Sequence, residues 1–318
     1  MGITLADVYQ FFKQAYFSGK PVWQTSDIPD LSGKVVIVTG GNAGIGKETV
    51  KALLEHNAIV YIATRNSVKA ESAINELKAM TGREAYYLHL DLQDLLSIKS
   101  AVIEFQNQQS RLDILFNNAG VMMPPIEATT TTGYDLSFAT NVLGHFYLSK
   151  LLLPIMIQTA QNTATPSRIV NTSSGSHYLA MYDFNTFKDG PLRRKLSLMQ
   201  IYGQSKWANV TFSNELARRY YDQGIVSCAV NPGNLKDTEL SRHVHSGIEH
   251  FLLKILQIYP PSWGALPQLF AGTSSEGATL NGKFIVPWGH VGQARKDTND
   301  TQLGKALWVW LEDQIRDM

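Results

Sequence analysis

Cysteine is almost absent: the chain of 318 residues has one, Cys228. A lone thiol cannot form an internal disulfide, which excludes a disulfide-stapled secreted domain and fits a reducing compartment. Charge of one sign is lacking as well, since 28 Lys and Arg face 27 Asp and Glu, a net charge of +1. That balance gives no pull toward nucleic acid or an anionic membrane surface. Long apolar runs are missing too. The richest windows, LSKLLLPIMI and FLLKILQIYP, fall short of the roughly 18 apolar residues of a spanning helix. The opening MGITLADVYQFFKQAYFSGK has neither the basic start nor the apolar core and cleavage site of a signal peptide. Ala6 stands where a myristoylation signal carries Ser or Thr. A cytoplasmic protein with no transmembrane segment is expected.

What is present is core material. Hydrophobic residues make up 44% and charged residues only 17%, against an average of about 25% charged, so a large core can form and a disordered chain is excluded. From Lys34 onward short apolar runs alternate with amphipathic stretches: VVIVT, a helix to His56, IVYIA, a helix to Met80, AYYLHL, a helix to Gln108, then LDILF. Continuous apolar strands such as Val35–Thr39 and Ile59–Ala63 are what a parallel sheet covered on both faces requires. A helix over Tyr134–Thr159, the strand RIVNT, a helix over Tyr202–Tyr221, the strand VSCAVN and a late strand GKFIV complete the pattern. The expectation is one α/β domain over residues 34–290, with a doubly wound parallel sheet of about seven strands and helices on both faces.

Four stretches fall outside that rhythm. Residues 1–33 place Leu5, Val8, Phe11, Phe12 and Tyr16 at helical spacing, predicting an amphipathic helix that docks on the domain or, as the alternative, on a membrane surface. The stretch from His177 to Met199, with Arg193, Arg194 and Lys195, reads as a surface insertion with solvated charges. Residues 238–261 are apolar but irregular, and residues 291–318 read as a C-terminal helical tail.

After the first strand comes T-G-G-N-A-G-I-G, with Gly40, Asn42, Gly44, Ile45 and Gly46, opening a helix near Gly46. Glycines there allow a sharp turn and let a pyrophosphate approach the main chain and the helix N-terminus. The loop resembles the T-G-x-x-x-G-x-G loop of the short-chain dehydrogenase/reductase family, whose fold is the Rossmann fold. The other motifs of that family follow in order. Asn117-Asn118-Ala119-Gly120 follows the fourth strand, Asp91 and Leu92 close the third, and Asn141 lies in N-V-L-G. Ser174 ends I-V-N-T-S-S, Tyr202 and Lys206 form Y-G-Q-S-K, and Asn231-Pro232-Gly233 follows the sixth strand. The resemblance covers about residues 33–290 and implies a nicotinamide cofactor held by these motifs, with Thr238 contacting the carboxamide. Asp237, lying between Lys236 and Thr238, is a departure from the pattern. Ser174 and Tyr202 are 28 positions apart, a long gap similar to that of retinol-dehydrogenase-like and WW-domain-oxidoreductase-like members.

Hydride transfer between an alcohol and a carbonyl needs a partner that gives or takes a proton, and a phenol can do so. Tyr202 and Lys206 are four apart and share a helix face. Lowering a tyrosine from about 10 to about 7 takes roughly 4 kcal/mol, which the Lys206 ammonium and the oxidised nicotinamide charge are expected to supply. Ser174 is expected to hold the substrate oxygen, and Asn141 to hold a water leading from Lys206 to solvent. After the second strand stand Thr64 and Arg65, where an NAD-binding chain has an acidic residue for the ribose. A guanidinium there suits a 2′-phosphate, so NADP(H) is the expected cofactor, NAD(H) the alternative, and Lys47 a possible assistant.

Residues 238–261 leave the sheet on its ligand-binding side and are expected to form a lid in which Phe251, Leu252, Leu253, Ile255, Leu256, Ile258 and Tyr259 offer apolar surface. The expected partner is therefore a small apolar alcohol or carbonyl compound, bound by a monomer or homodimer. His243, His245 and His250 lack the companion ligands of a metal site, and the Asn171-Thr172-Ser173 sequon falls in a buried strand. The competing reading is a non-catalytic nucleotide-binding sensor, which would have no use for the set Asn141, Ser174, Tyr202 and Lys206.

Overall fold

In the computed structural model, which describes residues 2–236 and 258–318, the alternating pattern becomes a single sheet wrapped by helices. The strands are β1 (Val35–Thr39), β2 (Ile59–Thr64), β3 (Tyr86–His89), β4 (Ile114–Asn117), β5 (Ser167–Thr172), β6 (Ile225–Val230), β7 (Phe284–Val286) and β8 (His290–Gly292). Their order is β3-β2-β1-β4-β5-β6-β7-β8. The first seven are parallel, as expected. An eighth, β8, adds antiparallel to β7 by pairing Ile285 with Val291, a three-residue strand too short to show in the sequence. Adjacent residues of β1 enter different cores: Ile37 joins Tyr61, Phe146 and Phe212 on one face, and Val36 and Val38 join Leu53, Phe116 and Leu269 on the other. Burial on both faces is why the strands read as unbroken apolar runs.

The covering helices are α2 (Gly44–Glu55), α3 (Ser67–Thr81), α4 (Leu95–Gln108), α6 (Gly144–Thr163), α7 (Leu198–Tyr220) and α8 (Pro261–Thr273), with a short α5 (Leu136–Phe138) leading into α6. α2 starts at Gly44, before the expected Gly46. α7 starts at Leu198 because Ser197 and Gln200 form a capping box ahead of Tyr202. The expected helix over Tyr134–Thr159 is divided: Asp135 caps α5, and a π turn over Ala139–Leu143 carries Asn141 before α6 begins. Gly144 then passes so close to the Leu92 carbonyl that no side chain would fit.

The stretch from His177 to Met199 is not the solvated insertion expected. His177 and Arg193 are 0% and 1% exposed. The Arg193 guanidinium donates to the Asp135 carboxylate at 2.7 and 3.0 Å and to the Ile126 carbonyl at 2.6 Å, so it ties this stretch to the cap of α5. Burial pushes the Asp135 carboxyl up despite the backbone N–H of Phe138 and the facing guanidinium. Arg194 does lie in solvent, paired with Asp189, and Lys195 is exposed.

At the two ends, helices pack on the domain. α1 (Leu5–Tyr16) buries Gln14 and Ala15, and α9 (Thr301–Gln314) inserts Leu307, Trp308 and Leu311 into the main core. No helix among the described residues is long and apolar enough to cross a membrane.

Candidate active site

A cleft of about 390 Å³ runs along the carboxyl ends of β1 to β6, the side on which open α/β sheets bind ligands. Gly40, Asn42, Gly44 and Ile45 line it from the turn after β1, Arg65 from the end of β2, Asp91 and Leu92 from the end of β3, and Asn118, Ala119 and Gly120 from the end of β4. Ser174, Tyr202, Lys206, Pro232 and Gly233 line its far part. Gly46 and Asn141 do not line it. Thr238, the three histidines from His243 to His250 and most of the expected lid, Phe251 to Leu256 included, lie outside the described residues. Of that lid, Tyr259 packs against Trp263 and Trp288, with its segment paired to Leu235. Its ring is thus committed to packing and not spread over the cleft.

The turn after β1 is shaped by close approach. Gly40 and Gly44 have φ of 66° and 52°, a region L side chains avoid. A Cβ on Gly46 would collide with the Gly40 carbonyl and the Asn118 amide, so Gly46 lets α2 seat its N-terminus against the turn. One hydroxyl braces the floor: Thr39 Oγ1 accepts the N–H groups of Asn118 and Ala119 at 2.9 Å each and lies 2.9 Å from His145 Nε2. Burial pulls His145 down to about 4, so its ring is neutral. Its Nδ1–H donates to the Asn141 carbonyl at 3.1 Å, which leaves Nε2 an acceptor facing the Thr39 hydroxyl, whose proton also has the Phe116 carbonyl within 3.2 Å.

This glycine cradle suits a nucleotide pyrophosphate, with the N–H groups of the first turn of α2 open toward an anion. Asn118 lines the cleft, and its Oδ1 is buried without a hydrogen-bond partner among the described residues. Arg65 is exposed and lines the cleft together with Lys69 and, from the end of the neighbouring strand, Asp91. Lys47, the expected assistant, instead pairs with Glu76. The residues therefore fit a dinucleotide.

At the other end Tyr202 and Lys206, 4% and 3% exposed, stand on one face of α7. The Lys206 Nζ lies 5.7 Å from the Tyr202 ring centre and donates to the Thr172 carbonyl at 2.9 Å. The expected lowering of the phenol by its neighbour is not what the protein alone produces. Burial pushes Tyr202 up to about 12, partly offset by a hydrogen bond with Ser174, and pulls Lys206 down to about 7. Desolvation disfavours both charged forms at once.

The Asn141 side chain is held by the chain around it. It is 1% exposed; Nδ2 donates to Val121 O at 3.1 Å and Ser205 Oγ at 2.9 Å, and Oδ1 accepts from Val121 N at 2.9 Å. It braces the segment after Gly120. Ser174 is likewise set from behind, because His177 Nδ1–H donates to its carbonyl at 2.6 Å while His177 Nε2 accepts from Arg295 N at 3.1 Å. Burial holds His177 at about 4, which keeps the ring in the neutral form this needs. The apolar part of the lining, Phe11, Val121, Met122, Leu179 and Met199, escaped the sequence reading, because scattered apolar residues carry no signal until the fold gathers them. Met122 and Met123 also pack on Tyr202, in a turn where Met123 takes a φ of 47°.

The family model for short chain dehydrogenase matches residues 34–186. A short-chain dehydrogenase/reductase of Armillaria gallica is 50% identical over 303 residues, covering 95% of this chain and 96% of the relative. Retinol dehydrogenase 11 of Mus musculus is 38% identical over 264 residues, covering 82% and 79%. Among solved structures, an uncharacterized protein from Mycobacterium paratuberculosis superposes with a TM-score of 0.71 at 28% identity, over 92% of this chain and 97% of that one. The Pseudomonas aeruginosa RhlG complex with NADP has the same fold, with a TM-score of 0.65 at 24% identity over 80% and 95%.

Proposed function

Since the chain belongs to the short-chain dehydrogenase/reductase family, as relatives spanning nearly its whole length show, we propose that it is an NADP(H)-dependent oxidoreductase interconverting a bulky apolar alcohol and its aldehyde or ketone. The observation that carries this reading is the continuity of the cleft, which joins Arg65 and the glycine turn at one end to Ser174, Tyr202 and Lys206 at the other. The bound nicotinamide supplies or accepts the hydride. Tyr202 gives the proton to the nascent alkoxide or takes it from the alcohol, and Ser174 holds the oxygen within its reach. Lys206 lies where a positive charge favours the phenolate once Tyr202 has given up its proton. The methionine and leucine side chains that line the cleft beside Tyr202 favour an apolar substrate, since burying about 200 Å² of it at about 25 cal/mol per Å² contributes about 5 kcal/mol before ordering costs.

The cofactor choice is tested at Arg65. Removing the guanidinium in Arg65→Ala is expected to weaken NADPH binding by about 1.5–3 kcal/mol, as for a hydrogen bond to a charged group, and to leave NADH nearly unchanged. Dissociation constants for both nucleotides, from quenching of tryptophan fluorescence, decide it. Equal losses for the two would show that Arg65 does not read the 2′-phosphate.

A further inference from the structure

We propose that Phe11, on the N-terminal helix α1, is a specificity-determining residue that forms the outer apolar wall of the substrate end of the cleft. Phe11 lines the same cleft as Ser174 and Tyr202. Its ring edge lies 3.5–3.6 Å from where a side chain on Gly175 would begin, so it covers the residue directly after Ser174. The helix that carries it is latched in place. Gln14, one turn further on and 7% exposed, donates to the Tyr178 hydroxyl at 2.9 Å and the Gln293 carbonyl at 3.2 Å, and accepts from Asn231 Nδ2 at 2.9 Å. That last bond reaches the turn whose Pro232 and Gly233 line the cleft. A capping box between Thr4 and Asp7 fixes the start of α1. Latch and wall occupy one face of α1, while Leu5, Tyr9 and Phe12 lie exposed on the rest of its surface.

A phenyl ring held this way bounds the cavity, and a large apolar substrate buries more surface against it than a small one does. The inference rests on the reading of the protein as an oxidoreductase for apolar carbonyl compounds. In Phe11→Ala, kcat/KM for a two-ring aryl ketone is expected to fall about tenfold or more, chiefly through KM, as for a lost apolar contact in a pocket. A small ketone such as butanone and the dissociation constant of NADPH should be unaffected, and Tyr9→Ala, on the exposed face, should behave as the unaltered protein. A second readout needs no turnover: with 4-fluorophenylalanine at position 11, the ¹⁹F resonance should shift when the aryl ketone is added to the protein saturated with NADP⁺. Turnover in the unaltered protein with equal losses on both ketones, or none, in Phe11→Ala and no ¹⁹F shift overturns the assignment. A ¹⁹F shift without turnover upholds the wall and instead removes the oxidoreductase reading for that substrate class. Neither turnover nor shift overturns both.

Discussion

Tyr202→Phe is expected to lower kcat by about 10² to 10⁴-fold, the range supplied by a positioned acid or base, while the dissociation constant for NADPH stays within a few-fold. The ring is what packs against Met122 and Met123, and a phenyl ring keeps that packing; only the hydroxyl, with its hydrogen bond to Ser174, is lost. Steady-state kinetics alongside nucleotide titration separates the two effects. Retention of most of the wild-type kcat would remove Tyr202 from the proton transfer. The pH dependence carries a second part of the same expectation. Burial alone pushes the phenol up to about 12, so at neutral pH the free protein holds the proton that reduction needs. Alcohol oxidation, which needs the phenolate, should therefore rise with pH until the phenol is ionised in the complex with the oxidised cofactor.

Arg193→Met is expected to destabilise the protein by about 3–5 kcal/mol, whereas Arg194→Ala next to it should change stability by less than about 1 kcal/mol. Both arginines are ion-paired, but Arg193 and Asp135 are each 1% exposed in their side chains while Arg194 is 67% exposed. Removing one member of a buried pair strands the other charge in a low-dielectric site, whereas an exposed pair is screened by water. Asp135 also caps α5 through Phe138 N at 2.8 Å, just before the π turn that bears Asn141, so the loss should loosen the floor of the cleft as well. Urea denaturation of the two variants measures the contrast. A cost below about 1 kcal/mol for Arg193→Met would show that the pair is dispensable.

These two arginines also mark the limit of what the sequence discloses. R-R-K in a stretch without apolar periodicity reads as three solvated charges, and nothing local distinguishes the one whose partner lies 58 positions away. The sheet was legible for the opposite reason: strands buried on both faces leave apolar runs that any reading finds. The glycine turn, Tyr202 and Lys206 were equally plain, because a turn after a strand and a four-residue spacing are local facts. Asn141 is legible as a motif residue, whereas the π turn that carries it is not, because no spacing announces it. His145 and His177 passed unnoticed because a buried histidine acting through its neutral ring has no motif. Phe11 is legible as part of an amphipathic helix, but not as part of a cleft assembled from distant segments of the chain.

The strand order also has a consequence for how the molecule is built as it leaves the ribosome. Starting from β1, the chain adds β2 and then β3 on one side, and then β4, β5, β6, β7 and β8 in turn on the other. Each new strand joins a free edge, and none has to force its way between two already paired. The N-terminal helix runs against this schedule. It is made first, yet Gln14 bonds to Tyr178, Asn231 and Gln293, which follow it by 164, 217 and 279 positions. Contacts at such separation close late, because loop closure must come before they can contribute. A nascent chain therefore carries an unseated amphipathic helix until its last strands arrive, and that helix can seat fully only after Gln293 has been made.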